Sequence, residues 1–115
     1  EILITNEPRG VSGHIDHVTI SMVTSYVFNK LPSAKTILYH CISEEYRKQF
    51  PYEYFIYLPP GYKKSEIDKV VDVSSVWTEK VNAILSHKSQ SKDAQRILNR
   101  INNFRKEEYF LVKNK

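Results

Sequence analysis

The amino-acid sequence predicts an α/β layered fold, and three observations carry that reading. Short β-branched and aromatic runs alternate with stretches of helical periodicity, Pro, Gly and Ser clusters separate them, and 115 residues admit one small domain. A chain of that length buries roughly two thirds of its unfolded surface. The expected order is strand, helix, strand, strand, helix, helix, strand. That is too few strands to bury both faces of a sheet. Because the chain also opens directly on "EILIT", like a cut end, the expectation is the second half of a larger α/β domain.

Ile2 to Thr5 has the length and branching of a short buried strand, and "NEPRGVSG" supplies the residues of a loop. From about Asp16 to Lys30 apolar residues recur at spacings of three and four, with Val18, Met22 and Tyr26 beside Val23 and Val27, predicting a helix that "LPSAK" stops. "KTILYHC" predicts a second strand with Ile37, Tyr39 and Cys41 on one face and Leu38 and His40 on the other. "SEEYRKQF" reads as a helical turn. "EYFIYLPPGY" reads as a third strand or an aromatic lid, ended by Pro59, Pro60 and Gly61.

Val70 to Val73 forms a short apolar strand, after which Ser74 or Ser75 is placed to cap a helix with Glu79 available for a capping box. That helix, "VWTEKVNAILSHKSQ", aligns Trp77, Val81, Ile84 and Leu85. A second helix starts at Asp93, with Ile97, Ile101 and Phe104 as its apolar stripe. "EEYFLVK" closes as a strand in which Tyr109, Leu111 and Lys113 oppose Phe110 and Val112.

Composition removes several classes. The net charge of +4 is spread over Lys and Arg interleaved with Glu and Asp, so nucleic-acid binding is not expected. A single cysteine, Cys41, excludes an internal disulfide and forms no CxxC pair, and it fits a reducing, cytoplasmic location. No run of about twenty apolar residues predicts a membrane span. No repeat or low-complexity tract occurs.

The chemistry-bearing stretch is "RGVSGHIDHV". His14 and His17 are three residues apart, so a helix beginning there projects both imidazoles from one side of its first turn. Gly13 frees the backbone at the entry, and the cluster follows a strand, where open α/β sheets build their sites. Asp16 stands between the histidines, near enough to accept an imidazole N–H and fix its tautomer. A hydrolytic zinc site takes three protein ligands and leaves one position for water. This cluster offers one or two, so its partners must come from elsewhere. The alternative is a polar helix start with Asp16 as N-cap and both histidines solvated.

"GVSGHIDHV" followed by "VDVSSVWTEKVNAILSHKSQ" and "KEEYFLV" resembles, in this order and over nearly the whole chain, the C-terminal half of the LmbE-like, PIG-L-type zinc-dependent N-deacetylases. The first segment is similar to the family's GHPDH pattern and the second to its HxSQ helix. The resemblance implies a Rossmann-like three-layer domain whose first half is absent from this chain. It implies zinc held by a histidine and an aspartate of an N-terminal AHPDDE motif and by the second histidine of GHxDH, which is His17 here. His14 would act as electrophile or general acid toward the oxyanion or leaving amine, with Asp16 orienting and charge-tuning it. An AHPDDE aspartate would be the base. Ile15 replaces the family's proline, and nothing in the chain resembles AHPDDE.

Further expectations follow. The chain supplies one side of a zinc-dependent hydrolase that removes an N-acetyl group from a GlcNAc-type sugar conjugate, and alone it is inactive. Its partners are that conjugate, the N-terminal half of the same domain and a possible second copy. His87, Ser89 and Gln90 bond backbone across elements near the core or support the site from behind. The Tyr52–Tyr62 segment is a sugar-stacking lid or an edge strand. His40 is a core or rim histidine and Cys41 a buried small residue, while Arg9 either reaches an anionic part of a substrate or is a solvated loop arginine, and it is not counted as a site residue. The competing class is a non-catalytic binding or assembly module on the same half-fold.

Overall fold

A computed structural model describes residues 1–50 and 57–115. Four strands, β1 (Ile2–Asn6), β2 (Thr36–Cys41), β3 (Lys69–Asp72) and β4 (Glu107–Asn114), form one mixed sheet in the order β1-β2-β4-β3. The helices are α1 (Gly10–Gly13, a single irregular turn), α2 (Ile15–Lys30), α3 (Glu44–Arg47), α4 (Trp77–Leu85) and α5 (Ser91–Ile101). The chain is therefore a mixed α/β domain. By contacts it divides into two units, Glu1–Val70 with Tyr109–Lys115, and Val71–Glu108.

In the first unit β1 runs parallel to β2, pairing Ile2 with Thr36 and Asn6 with His40, and α2 makes the crossover between them. β4 runs antiparallel on the other side of β2, with Leu38 opposite Val112 and Cys41 opposite Tyr109. The core is built from Phe28 of α2, Ala34 and Ile37, with Leu3, Leu31 and Tyr39 packed against it. Ile37 and Cys41 are fully buried on the face expected for them.

Two expectations about faces are corrected. β1 is an edge strand buried on one side only, with Ile2 and Ile4 exposed. The apolar residues Met22, Val23, Tyr26 and Val27 of α2 are also exposed, while Ser21 and Phe28 are the residues it buries. Small hydroxyls face the sheet: Ser25 Oγ donates to the Ser21 carbonyl (2.7 Å) and lies 2.8 Å from Tyr39 Oη. Apolar residues surround α2 on nearly every side, so the periodicity of its larger side chains did not identify the buried one.

In the second unit the sheet leads through a 3-10 turn at Ser74–Val76 into α4. No serine caps α4. Asp72 Oδ1 instead accepts the Ser74 N–H (2.8 Å), and the Ser74 side chain and N–H together hold the Asp72 carboxyl below its ordinary range. Trp77, Val81 and Ile84 are half-buried as expected, but Leu85 is exposed and ends the helix. Helix α5 begins at Ser91 rather than Asp93 and buries Ala94 and Leu98 in place of Ile97, which is exposed. Lys80 pairs with Glu108, and the Lys80 and Lys106 ammonium groups lie 5.4 and 5.3 Å from the Trp77 ring centroid.

Candidate functional site

The histidine cluster sits where β1 ends and α2 begins, at the C-terminal end of a parallel strand. Two glycines shape its approach. Gly10 and Gly13 adopt φ of 74° and 75°, a region that side chains rarely occupy, and Val11 between them is forced to 61°. A Cβ on Gly10 would stand 2.8 Å from Val18 Cγ2 and 3.2 Å from His17 Cβ, so the turn lies directly against the first turn of α2. A Cβ on Gly13 would stand 2.7 Å from the Tyr57 carbonyl oxygen.

His14, not Asp16, is the N-cap of α2. Its Nδ1 accepts the Asp16 backbone N–H at 3.2 Å, in the way a serine or aspartate oxygen caps other helices. That bond requires a lone pair on Nδ1 and places the proton of the neutral ring on Nε2. The Asp16 carboxylate lies 3.7 Å from the same Nδ1, beyond hydrogen-bond length, and is 82% exposed. Asp16 thus orients His14 through its backbone in this arrangement.

His17 has the opposite tautomer. Its Nδ1 lies 3.0 Å from the Gly10 carbonyl oxygen. A carbonyl only accepts, so Nδ1 carries hydrogen and the neutral ring keeps its lone pair on Nε2. This is the arrangement in which a histidine ligates a metal through one nitrogen while the other is held by a backbone carbonyl. The two rings are 5.3 Å apart between centroids, tilted by 41°. In the neutral rings one imidazole thus carries its proton on Nε2 and its neighbour carries its lone pair there.

Glu7, which sequence reasoning passed over, organises the loop. Its side chain is buried, and its Oε1 accepts the Val11 N–H (2.8 Å). Its Oε2 accepts the Arg9 N–H (2.9 Å), Arg9 Nε (3.3 Å) and the Tyr62 hydroxyl (2.8 Å). Burial and then the bond to Glu7 push the Tyr62 hydroxyl up to about 12. Arg9 is not a solvated loop residue: it pairs with Glu7 and lies 4.2 Å over the Tyr62 ring. The signal for Glu7 was an acid between a strand end and a glycine turn, whose inward N–H groups need an acceptor.

Residues 57–62 run past this loop. Arg47 Nε donates to the Pro59 carbonyl (3.0 Å), the Tyr62 N–H donates to the Ile42 carbonyl (2.8 Å), and Gly61 lies against the Ser43 backbone. The rest of the expected lid, residues 51–56, lies outside the described residues. His87, Ser89 and Gln90 are exposed in the second unit, and the bonds described there are local, from the Gln90 N–H to the His87 carbonyl (2.9 Å) and from the His87 N–H to the Ile84 carbonyl (3.3 Å). His40 contacts Phe110 edge-on at 5.9 Å, and its carbonyl accepts the Glu7 N–H (2.9 Å).

Among the described residues no three or more His, Cys, Asp or Glu side chains converge as a metal site. The chemistry of His17 fits one zinc ligand. No described helix is long and apolar enough to cross a membrane. Compared with family models, with curated proteins and with solved structures, the chain finds no match.

Proposed function

We propose that the chain is the C-terminal half of a Rossmann-like, cytoplasmic zinc-dependent N-deacetylase acting on an N-acetylated, GlcNAc-type sugar conjugate. The observation that carries the proposal is the pair of opposed tautomers: His17 held through Nδ1 on the Gly10 carbonyl, and His14 with its neutral-ring proton on Nε2. His17 binds the metal through Nε2. Zinc, when bound, lowers the pKa of a coordinated water and polarises the amide carbonyl. His14 donates its Nε2–H as a hydrogen bond to the oxyanion that develops on the amide carbonyl. The remaining two ligands and the base belong to the N-terminal half of the domain. The exposed Ile15, Met22, Tyr26, Ile2 and Ile4 supply apolar surface for that half to cover.

That same surface favours the second reading, a non-catalytic assembly module. One experiment separates them. In the protein that joins this chain to an AHPDDE-bearing half, His17→Ala is expected to remove bound zinc, measured by elemental analysis. It is also expected to lower amidase activity on an N-acetylglucosamine conjugate by at least about a hundredfold. Unchanged zinc stoichiometry in the variant sinks the assignment of His17. A wild-type protein with neither zinc nor activity leaves the assembly reading.

A further inference from the structure

The buried Glu7 carboxylate has no role in the chemistry proposed above, yet it receives four hydrogen bonds, three from the loop that follows it and one from Tyr62. Two of the donors are backbone N–H groups of the turn that follows it, Arg9 and Val11. The Glu7 carbonyl accepts a third N–H, that of Gly10, at 2.8 Å. The turn so closed contains Val11 at φ 61°, a conformation a β-branched residue adopts only when its surroundings over-determine it. The Gly10 carbonyl, at the centre of this turn, is the acceptor for His17 Nδ1. Glu7 therefore acts on His17 through the strained turn without touching it.

We infer that Glu7 is a positioning residue: its side-chain oxygens hold the Gly10–Val11 peptide so that the Gly10 carbonyl selects the His17 tautomer with its lone pair on Nε2. Its value for metal binding rests on the reading of His17 as a zinc ligand. The tautomer selection itself does not. A carboxylate suits the task because all four bonds arrive from donors and an ionised carboxylate is acceptor-only. A glutamine cannot match it, since its amide nitrogen would meet a donor on one side. Tyr62 ties residues 57–62 to the same oxygen that holds the Arg9 N–H, so the wall beside Gly13 and the histidine turn share one anchor.

The test is long-range nitrogen–proton NMR of the histidine rings in the 115-residue chain, which reads the tautomer directly without metal or substrate. The wild type is expected to show His17 protonated on Nδ1. In Glu7→Gln that preference is expected to be lost, with the Nε2-protonated form gaining population and the Val11 amide exchanging faster. Val11→Gly on top of Glu7→Gln is expected to recover the Nδ1-protonated form in part, because glycine takes a φ of 61° without a steric penalty. If Glu7→Gln does not fold, Glu7→Asp keeps the charge and shortens the reach, and a partial shift in the same direction is expected. An unchanged His17 tautomer in either folded variant overturns the inference. A tautomer that does depend on Glu7, in a protein whose wild type takes no zinc, leaves the positioning role standing and removes the zinc reading instead.

Discussion

Gly13 shows how a single missing side chain shapes the site. Its φ of 75° and the 2.7 Å approach of the Tyr57 carbonyl to where a Cβ would sit allow no other residue without displacement. Gly13→Ala is expected to cost roughly 2 kcal/mol, about 1–2 for the left-handed backbone and the rest for moving residues 57–59. Denaturant unfolding of the two chains measures it, and a loss under about 0.5 kcal/mol would show that the 57–59 segment yields freely. The freedom of Gly13 was legible in "GVSGH". The need for it was not, because the carbonyl that crowds it comes from residue 57.

At the scale of an element, α2 is the informative case. Its span, Ile15–Lys30, agrees with the periodicity almost to the residue, but its buried face does not. Phe28, at 1% exposure, carries the packing, whereas Met22, at 66%, carries none of it. Phe28→Ala is therefore expected to cost about 3–5 kcal/mol. Met22→Lys is expected to stay within about 0.5 kcal/mol of wild type. Chemical denaturation of the two variants side by side tests this, and equal losses would place Met22 in the core after all. Met22 and Tyr26 are larger and more apolar than Ser21 and Ser25, so hydrophobicity pointed outward. Serines face inward because Ser25 has a partner there, Tyr39, fourteen positions on in the strand that follows α2.

At the scale of the whole molecule, two acids bind the fold's stability to pH. Burial, with a smaller contribution from Glu7, pushes the Cys41 thiol from 9.0 up to about 12, and Tyr62 rises from 10.0 to about 12. Both are held neutral in the folded chain and ionise earlier in the unfolded one, so the unfolded state sheds protons first and stability falls with rising pH. The contribution is fully present below about pH 9 and declines between about 9 and 12. Thermal unfolding followed across that window is expected to show a falling midpoint, with a shallower fall in a Cys41→Ala, Tyr62→Phe double variant. Parallel curves for the two proteins would remove both groups as the cause.

The order of strands and helices, the glycine-bearing loop after β1 and the closeness of His14 and His17 at the start of α2 were all legible in the sequence alone. Each depends on residues no more than four positions apart, where backbone preference and helical spacing decide the outcome. Which face of α2 is buried, that β1 is an edge, and that Glu7, Arg9 and Tyr62 form one anchored group were decided only by tertiary structure. Tyr62 is 55 positions from the carboxylate that accepts its hydroxyl, and nothing local marks either as the other's partner. Hydrogen bonds between distant segments form because burial leaves each donor one acceptor within reach, and that choice exists only once the chain has folded.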